Sequence, residues 1–175
     1  MIVRYSVKVQ GIVQGVGYRP FVYSLATHMG LSGWVINDAR GVLIEVQGNH
    51  DDVKSFIDAL YHDAPALAVV EQINTTSIDV VAENGFCIRS SQKGQPRTLI
   101  SPDIALCDDC IKDMNNSKDR RYRYAFTNCT NCGPRFTIIN SLPYDRCRTS
   151  MHGFTMCTDC ADEYNNPLDR RFHAP

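Results

Sequence analysis

Seven of the eight cysteines lie between Cys107 and Cys160, and six of them form three C-x-x-C pairs: Cys107/Cys110, Cys129/Cys132 and Cys157/Cys160. That spacing presents two thiolates from one tight turn to a single metal ion. An even cysteine count also raises a disulfide framework. The start of the chain, Met1-Ile2-Val3-Arg4-Tyr5, lacks an apolar stretch of signal-peptide length, so the expected setting is cytoplasmic and reducing. A redox C-x-x-C is expected once, at a helix N-terminus beside a strand. Three copies in a polar, turn-rich region point instead to structural zinc.

The cysteines divide the chain into unlike halves. Its 175 residues allow one ordinary domain or two small ones. Residues 1–90 carry six Lys/Arg against nine Asp/Glu, and residues 91–175 carry twelve against ten. The polar stretch Ser90-Ser91-Gln92-Lys93-Gly94-Gln95-Pro96 lies at the junction and reads as a linker. The expected domains are 1–91 and 101–175, joined by 92–100. A net charge of -1 gives no global pull toward nucleic acid or membrane. No apolar run approaches the ~20 residues that span a bilayer.

The second half repeats at an offset of fifty. Cys107-x-x-Cys110 aligns with Cys157-x-x-Cys160, Asn115-Asn116 with Asn165-Asn166, and Asp119-Arg120-Arg121-Tyr122 with Asp169-Arg170-Arg171-Phe172. In the first copy, Cys129 and Cys132 complete a C-x2-C-x18-C-x2-C set, followed by Gly133-Pro134. Four thiolates close a tetrahedron and leave no open position for catalysis, so this zinc would be structural. The second copy stops at Pro175, before its second pair, and reads as a truncated site. Cys147, His152 or His173 are candidate extra ligands for Cys157 and Cys160, and a crossed pairing of the three C-x-x-C turns is also open. Arg120, Arg121 and Arg123 interleave with Tyr122, Tyr124 and Phe126 in the manner of a base-stacking surface. Their place between ligand pairs, beside Asp119, makes a structural loop the better reading and nucleic acid an unexpected partner.

The first half has the periodicities of a small α+β sandwich. Tyr5–Val9 alternates with period two, as a half-buried strand does. After the glycine-rich turn Gly11–Gly17, Pro20 opens a helical stretch in which Phe21, Leu25, His28 and Met29 share one face, with His28 as a packing residue. Strands are expected at 33–37 and 42–46, joined by the turn Asp38-Ala39-Arg40-Gly41. A second helix begins at Asp51-Asp52 and buries Val53, Phe56, Ile57 and Leu60. Further strand candidates are 69–73, 76–81 and 86–89, with Cys87 as a buried thiol. The order β-α-β-β-α-β is the ferredoxin-like arrangement.

One loop in this half carries chemistry. Gln14, Gly15, Val16, Gly17, Tyr18 and Arg19 run from strand to helix, where backbone N–H groups above a helix N-terminus bind anions. Arg19 adds a planar fork of donors suited to phosphate. The string Gly11-Ile12-Val13-Gln14-Gly15-Val16-Gly17-Tyr18-Arg19, with Gly33-Trp34-Val35-Ile36-Asn37, Gly41, Val42 and Gly48, resembles the acylphosphatases over roughly residues 3–90. The resemblance implies that Arg19 and the amides of Gln14 to Tyr18 hold a phosphate, and that Asn37 holds the attacking water. An acyl phosphate has a good leaving group, so charge stabilisation and water placement suffice.

An acylphosphatase-like domain followed by these cysteine fingers, with Asp169-Arg170-Arg171-Phe172-His173-Ala174, resembles the front of the HypF-type carbamoyltransferases of [NiFe]-hydrogenase maturation. That family implies carbamoyl phosphate as substrate, and HypE as the partner that receives the carbamoyl group through domains beyond this chain. Complete carbamoyl transfer is therefore not expected of the chain alone. The alternative is a non-catalytic, zinc-stapled interaction module. On the enzyme reading, loss of a zinc ligand should spare hydrolysis, because the two halves are expected to be independent.

Overall fold

The computed structural model describes residues 1–38, 41–89, 104–133, 135–141 and 145–174. The proposed linker and the tip of the 38–41 turn lie outside the described residues. The first half contains β1 (Ile2–Ile12), α1 (Tyr18–His28), β2 (Ser32–Asp38), β3 (Gly41–Asn49), α2 (His50–His62), β4 (Val69–Ser77) and β5 (Phe86–Ile88). The strands form one sheet in the order β4-β1-β3-β2-β5. All neighbours are antiparallel except β2 and β5, which run parallel. This is the ferredoxin-like α+β arrangement with a short fifth strand.

Alternation along β1 and β3 sends Val7 and Val9, and Val42, Ile44 and Val46, into a core with Val35. Val22 and Ala26 of α1 and Val53, Phe56 and Leu60 of α2 cover them. Each fully buried large side chain contributes about 1.5–3 kcal/mol of transfer free energy. β1 bulges between Gln10 and Gly11. Gly11 has φ +126°, and a Cβ there would lie 2.0 Å from the Val69 carbonyl oxygen, so only glycine passes this close to β4. The bulge turns β1 out of the sheet and into the loop that leads to α1.

Three local expectations are corrected. α1 starts at Tyr18 rather than Pro20, and its most buried residues are Tyr18, Arg19, Val22 and Ala26. The buried stripe is therefore rotated, Phe21, Leu25 and Met29 form its margin, and His28 is exposed. Cys87 is exposed as well. β5 is a three-residue edge strand whose Phe86 and Ile88 pack on the core, so period two turns the intervening thiol outward. Residues 76–81 do not make a strand of their own: β4 ends at Ser77.

The second half has little regular structure: α3 (Asp108–Asn115), α4 (Thr158–Asn165) and short 3-10 turns between them. Both helices start one residue after a cysteine that occupies the N-cap. The fifty-residue repeat persists in the backbone. Arg123 N–H donates to Met114 O at 2.9 Å, and His173 N–H donates to Tyr164 O at 3.0 Å. Arg123 and His173 share φ values of 57° and 54°. The repeats also grip each other. Arg120 pairs with Asp159 at 2.7 Å and with Glu163 at 2.5 Å, and Arg121 also donates to Glu163. In return, Arg170 and Arg171 both donate to Asp113, the counterpart of Glu163. Burial opposes the Asp113 charge, but hydrogen bonds from Arg171 and Arg170 hold its carboxyl below the usual range. Of the arginines read as loop residues, Arg120 and Arg121 are thus occupied with carboxylates of the opposite repeat, and Arg123 lies over the Tyr122 ring.

Candidate active site and metal centre

The loop Gln14–Arg19 is fixed by side chains that point away from its amides. Val16 is fully buried in the core. The Tyr18 hydroxyl donates to Leu60 O at 2.8 Å, and burial raises its pKa. Gln14 Nε2 donates to Asp38 O and to Gly41 O, both at 2.7 Å, which ties the loop to the β2–β3 hairpin. Gly15 and Gly17 have φ 73° and 77°, values that L side chains rarely adopt. Gly17 is also the N-cap of α1. The first N–H groups of α1, which have no intrahelical acceptor, therefore face a concave turn.

Arg19 is only 8% exposed, and its Nη2 lies 3.4 Å from Asp145 Oδ1. Burial lowers its pKa, and the Asp145 carboxylate works in the opposite direction. Asn37 is 1% exposed on β2, opposite Val42. Neither of its amide atoms has a hydrogen-bond partner among the described residues. A buried, unsatisfied amide is costly in a finished core and is a usual mark of a position completed by water or ligand. The Gln14 bonds place Asn37 at the loop end of the sheet. Asn37 does not itself line the cleft over the loop.

That cleft belongs to both halves. Val13, Gly15, Gly17, Tyr18 and Arg19 line it from below, and Thr130, Phe172, His173 and Ala174 from above. A Cβ on Gly17 would come within 3.1 Å of Thr130 Cβ, and one on Gly133 within 3.6 Å of Gly15 O. The turn around Cys129 and Cys132 therefore rests on the Gln14–Arg19 loop, so the two halves are in contact at this point. Sequence reasoning missed Asp145 and Thr130, and took His173 only as a spare ligand. These residues lie more than a hundred positions from Arg19 and carry no local signal of the contact.

The first cysteine set converges. The sulfurs of Cys107, Cys110, Cys129 and Cys132 lie within 4.8 Å of one another. Individual separations are 3.6 Å for Cys107–Cys129 and 3.9 Å for both Cys129–Cys132 and Cys110–Cys132. A tetrahedron with bonds of ~2.3 Å to sulfur has edges of ~3.8 Å, so the residues fit a four-coordinate metal. This resolves the open pairing: the first two C-x-x-C turns share one centre. Arg170 Nη1 and Arg135 Nη2 donate to the sulfurs of Cys110 and Cys132, each at 3.2 Å. Two guanidinium groups therefore offset the charge of a four-thiolate site.

Cys157 and Cys160 stand apart from this centre. Among the described residues no third ligand joins them, neither Cys147, His152 nor His173. Arg121 Nη2 lies 3.8 Å from Cys160 Sγ, in the role that Arg170 plays toward Cys110.

Fold and loop together define a class: the chain belongs to the acylphosphatase family, whose model matches residues 5–88. The acylphosphatase of Salinibacter ruber is 38% identical over 88 residues, covering 49% of this chain and 92% of that protein. The particular kind follows from the second half, where the HypF finger model matches residues 106–139 and 156–175. This pairing of domains is that of the HypF carbamoyltransferases. The carbamoyltransferase HypF of Rhodobacter capsulatus is 50% identical over 172 residues, which are 97% of this chain and 23% of that protein. A crystal structure of full-length HypF in the phosphate- and nucleotide-bound form superposes with a TM-score of 0.90 at 45% identity, covering 99% of this chain and 23% of that one. The chain thus spans about a quarter of the length of these relatives. Among the described residues, no helix is long and apolar enough to cross a membrane.

Proposed function

We propose that the chain hydrolyses carbamoyl phosphate at the Gln14–Arg19 loop, as the acyl-phosphate-cleaving part of a HypF-type carbamoyltransferase. The observation that carries this reading is the pairing of a buried Arg19 beside the glycine loop with a buried Asn37 whose amide has no partner. The loop amides and Arg19 bind the phosphate and stabilise charge on its oxygens. Asn37 orients a water. The water oxygen bonds to phosphorus, the bond from phosphorus to the carbamoyl oxygen breaks, and carbamate leaves with the electron pair. The proton passes to phosphate or solvent. The relatives named carbamoyltransferases support a carbamoyl substrate, and a HypF solved in a phosphate-bound form is in keeping with phosphate recognition by this kind of protein.

The four-cysteine centre holds zinc as a structural ion through Cys107, Cys110, Cys129 and Cys132, and Cys157 with Cys160 forms half of a second knuckle. Delivery of the carbamoyl group to HypE belongs to the full-length family. The test is phosphate release from carbamoyl phosphate by the zinc-loaded chain beside Arg19→Ala. Removal of a principal charge-stabilising donor is expected to lower kcat by about 10²–10³. An Arg19→Ala protein with full activity, or a folded wild type with none, would leave the zinc-stapled binding module as the better reading.

A further inference from the structure

An acyl phosphate held by its phosphate must project its acyl group away from the loop. The wall it meets is Thr130, Phe172, His173 and Ala174, all from the second half. Thr130 Oγ1 already donates to Arg170 O at 3.0 Å, and Phe172 and Ala174 bring no polar side-chain atom. Cys129 also lines the cleft but belongs to the four-sulfur centre, which leaves His173 as the polar side chain on that wall among the described residues. Its ring is fixed by stacking on Phe172, centroids 4.0 Å apart, and on Tyr164, 5.0 Å apart. Its Nδ1 is buried and has no hydrogen-bond partner among the described residues. The left-handed backbone is not part of the case, since Arg123 shares it at the equivalent position.

Burial first, and then the Arg19 charge, push the His173 pKa down to about 4 despite Asp145, so the ring is neutral near pH 7. A neutral imidazole carries one N–H donor and one bare acceptor nitrogen. A carbamoyl group ends in an amino group that can donate to such a nitrogen, whereas an acetyl group ends in a methyl.

We propose that His173 determines acyl specificity at the phosphate-loop site, its unpartnered ring nitrogen accepting from the amino group of a carbamoyl substrate. The inference rests on the hydrolase reading and names a residue that reading does not use. The test compares carbamoyl phosphate with acetyl phosphate in the zinc-loaded chain, for wild type, His173→Ala and His173→Asn. Loss of one hydrogen bond is expected to lower kcat/KM for carbamoyl phosphate about tenfold in His173→Ala, with acetyl phosphate changed far less. His173→Asn, which keeps an acceptor and serves if the alanine variant does not fold, should recover part of the preference. An equal fall on both substrates, or no change in their ratio, would overturn the assignment. If wild type releases phosphate from neither substrate, the hydrolase reading fails, and calorimetry with phosphonoacetamide and its methyl-ketone analogue decides for His173. Preference for the amide that disappears in His173→Ala supports the inference, and equal affinities in wild type overturn it.

Discussion

The two halves solve the same problem of holding a chain together by different means. The first buries an apolar core between one sheet and two helices. The second has as its cluster of buried residues Cys110, Cys129 and Cys132, with Leu106 and Cys107 beside them, while Phe154 and Leu168 stand exposed. Side chains that would build a core are therefore replaced by sulfur and by arginine–carboxylate pairs. A core is non-directional and tolerates adjustment, whereas a four-sulfur centre with guanidinium partners is a directional framework that works only when complete.

Removal of the metal should break the comparison most visibly. With a strong chelator, backbone amides in 104–174 are expected to lose hydrogen-exchange protection while those in 1–89 keep theirs. Because the Cys129 turn rests on the loop, phosphate release should change as well, and unchanged kinetics would show the halves to be uncoupled. Phe56→Ala is the reciprocal change. It should cost about 3–5 kcal/mol in denaturant unfolding of the first half and leave the zinc content intact. A smaller effect is expected from Asp113→Asn, which weakens the charge holding Arg170 and Arg171. About 1.5–3 kcal/mol is typical for such charged hydrogen bonds, read as easier metal loss in chelator competition.

The last expected effect is a pH dependence of the contact between the halves. The His173 pKa is lowered to about 4 in the folded chain, against an ordinary value near 6.5. The unfolded chain binds more protons between these values, so His173 contributes stability above pH ~6.5 that is lost as pH falls toward 4. Of the groups that face this ring, Arg19 adds to the lowering and Asp145 opposes it, while Tyr164 stacks on the ring as a neutral phenol. A thermal-melting series on wild type and His173→Asn should show a steeper loss of stability across this window for wild type, and equal slopes would remove His173 as its source.

What was legible in the chain was what is local. The strands at 5–9, 33–37 and 42–46, the glycine turn leading into a helix, and the converging C-x-x-C turns at 107 and 129 are signals a few residues long, and the structure contains them. His28 and Cys87 failed because burial depends on which way an element is turned against its neighbours. Helix α1 begins two residues earlier than Pro20 suggested, and β5 exposes its middle residue. Asp145, Thr130 and the role of His173 were beyond reach for a different reason. Their meaning arises only when the second half folds back over the loop, and no spacing rule encodes that return.

The arginine grip between the repeats has the form of a two-fold interface closed within one chain. In an isologous dimer, residue i touches j and j touches i, so one substitution alters the contact twice. Here the two sides are encoded separately, at 120–121 with 163 and at 170–171 with 113, and each side can drift without the other. The intervening chain makes their meeting intramolecular and sets a high effective concentration, so even an individually weak pair stays engaged. The two sides of the contact thereby reach different surroundings: one touches the four-sulfur centre through Arg170, and the neighbouring His173 lines the cleft over the Gln14–Arg19 loop.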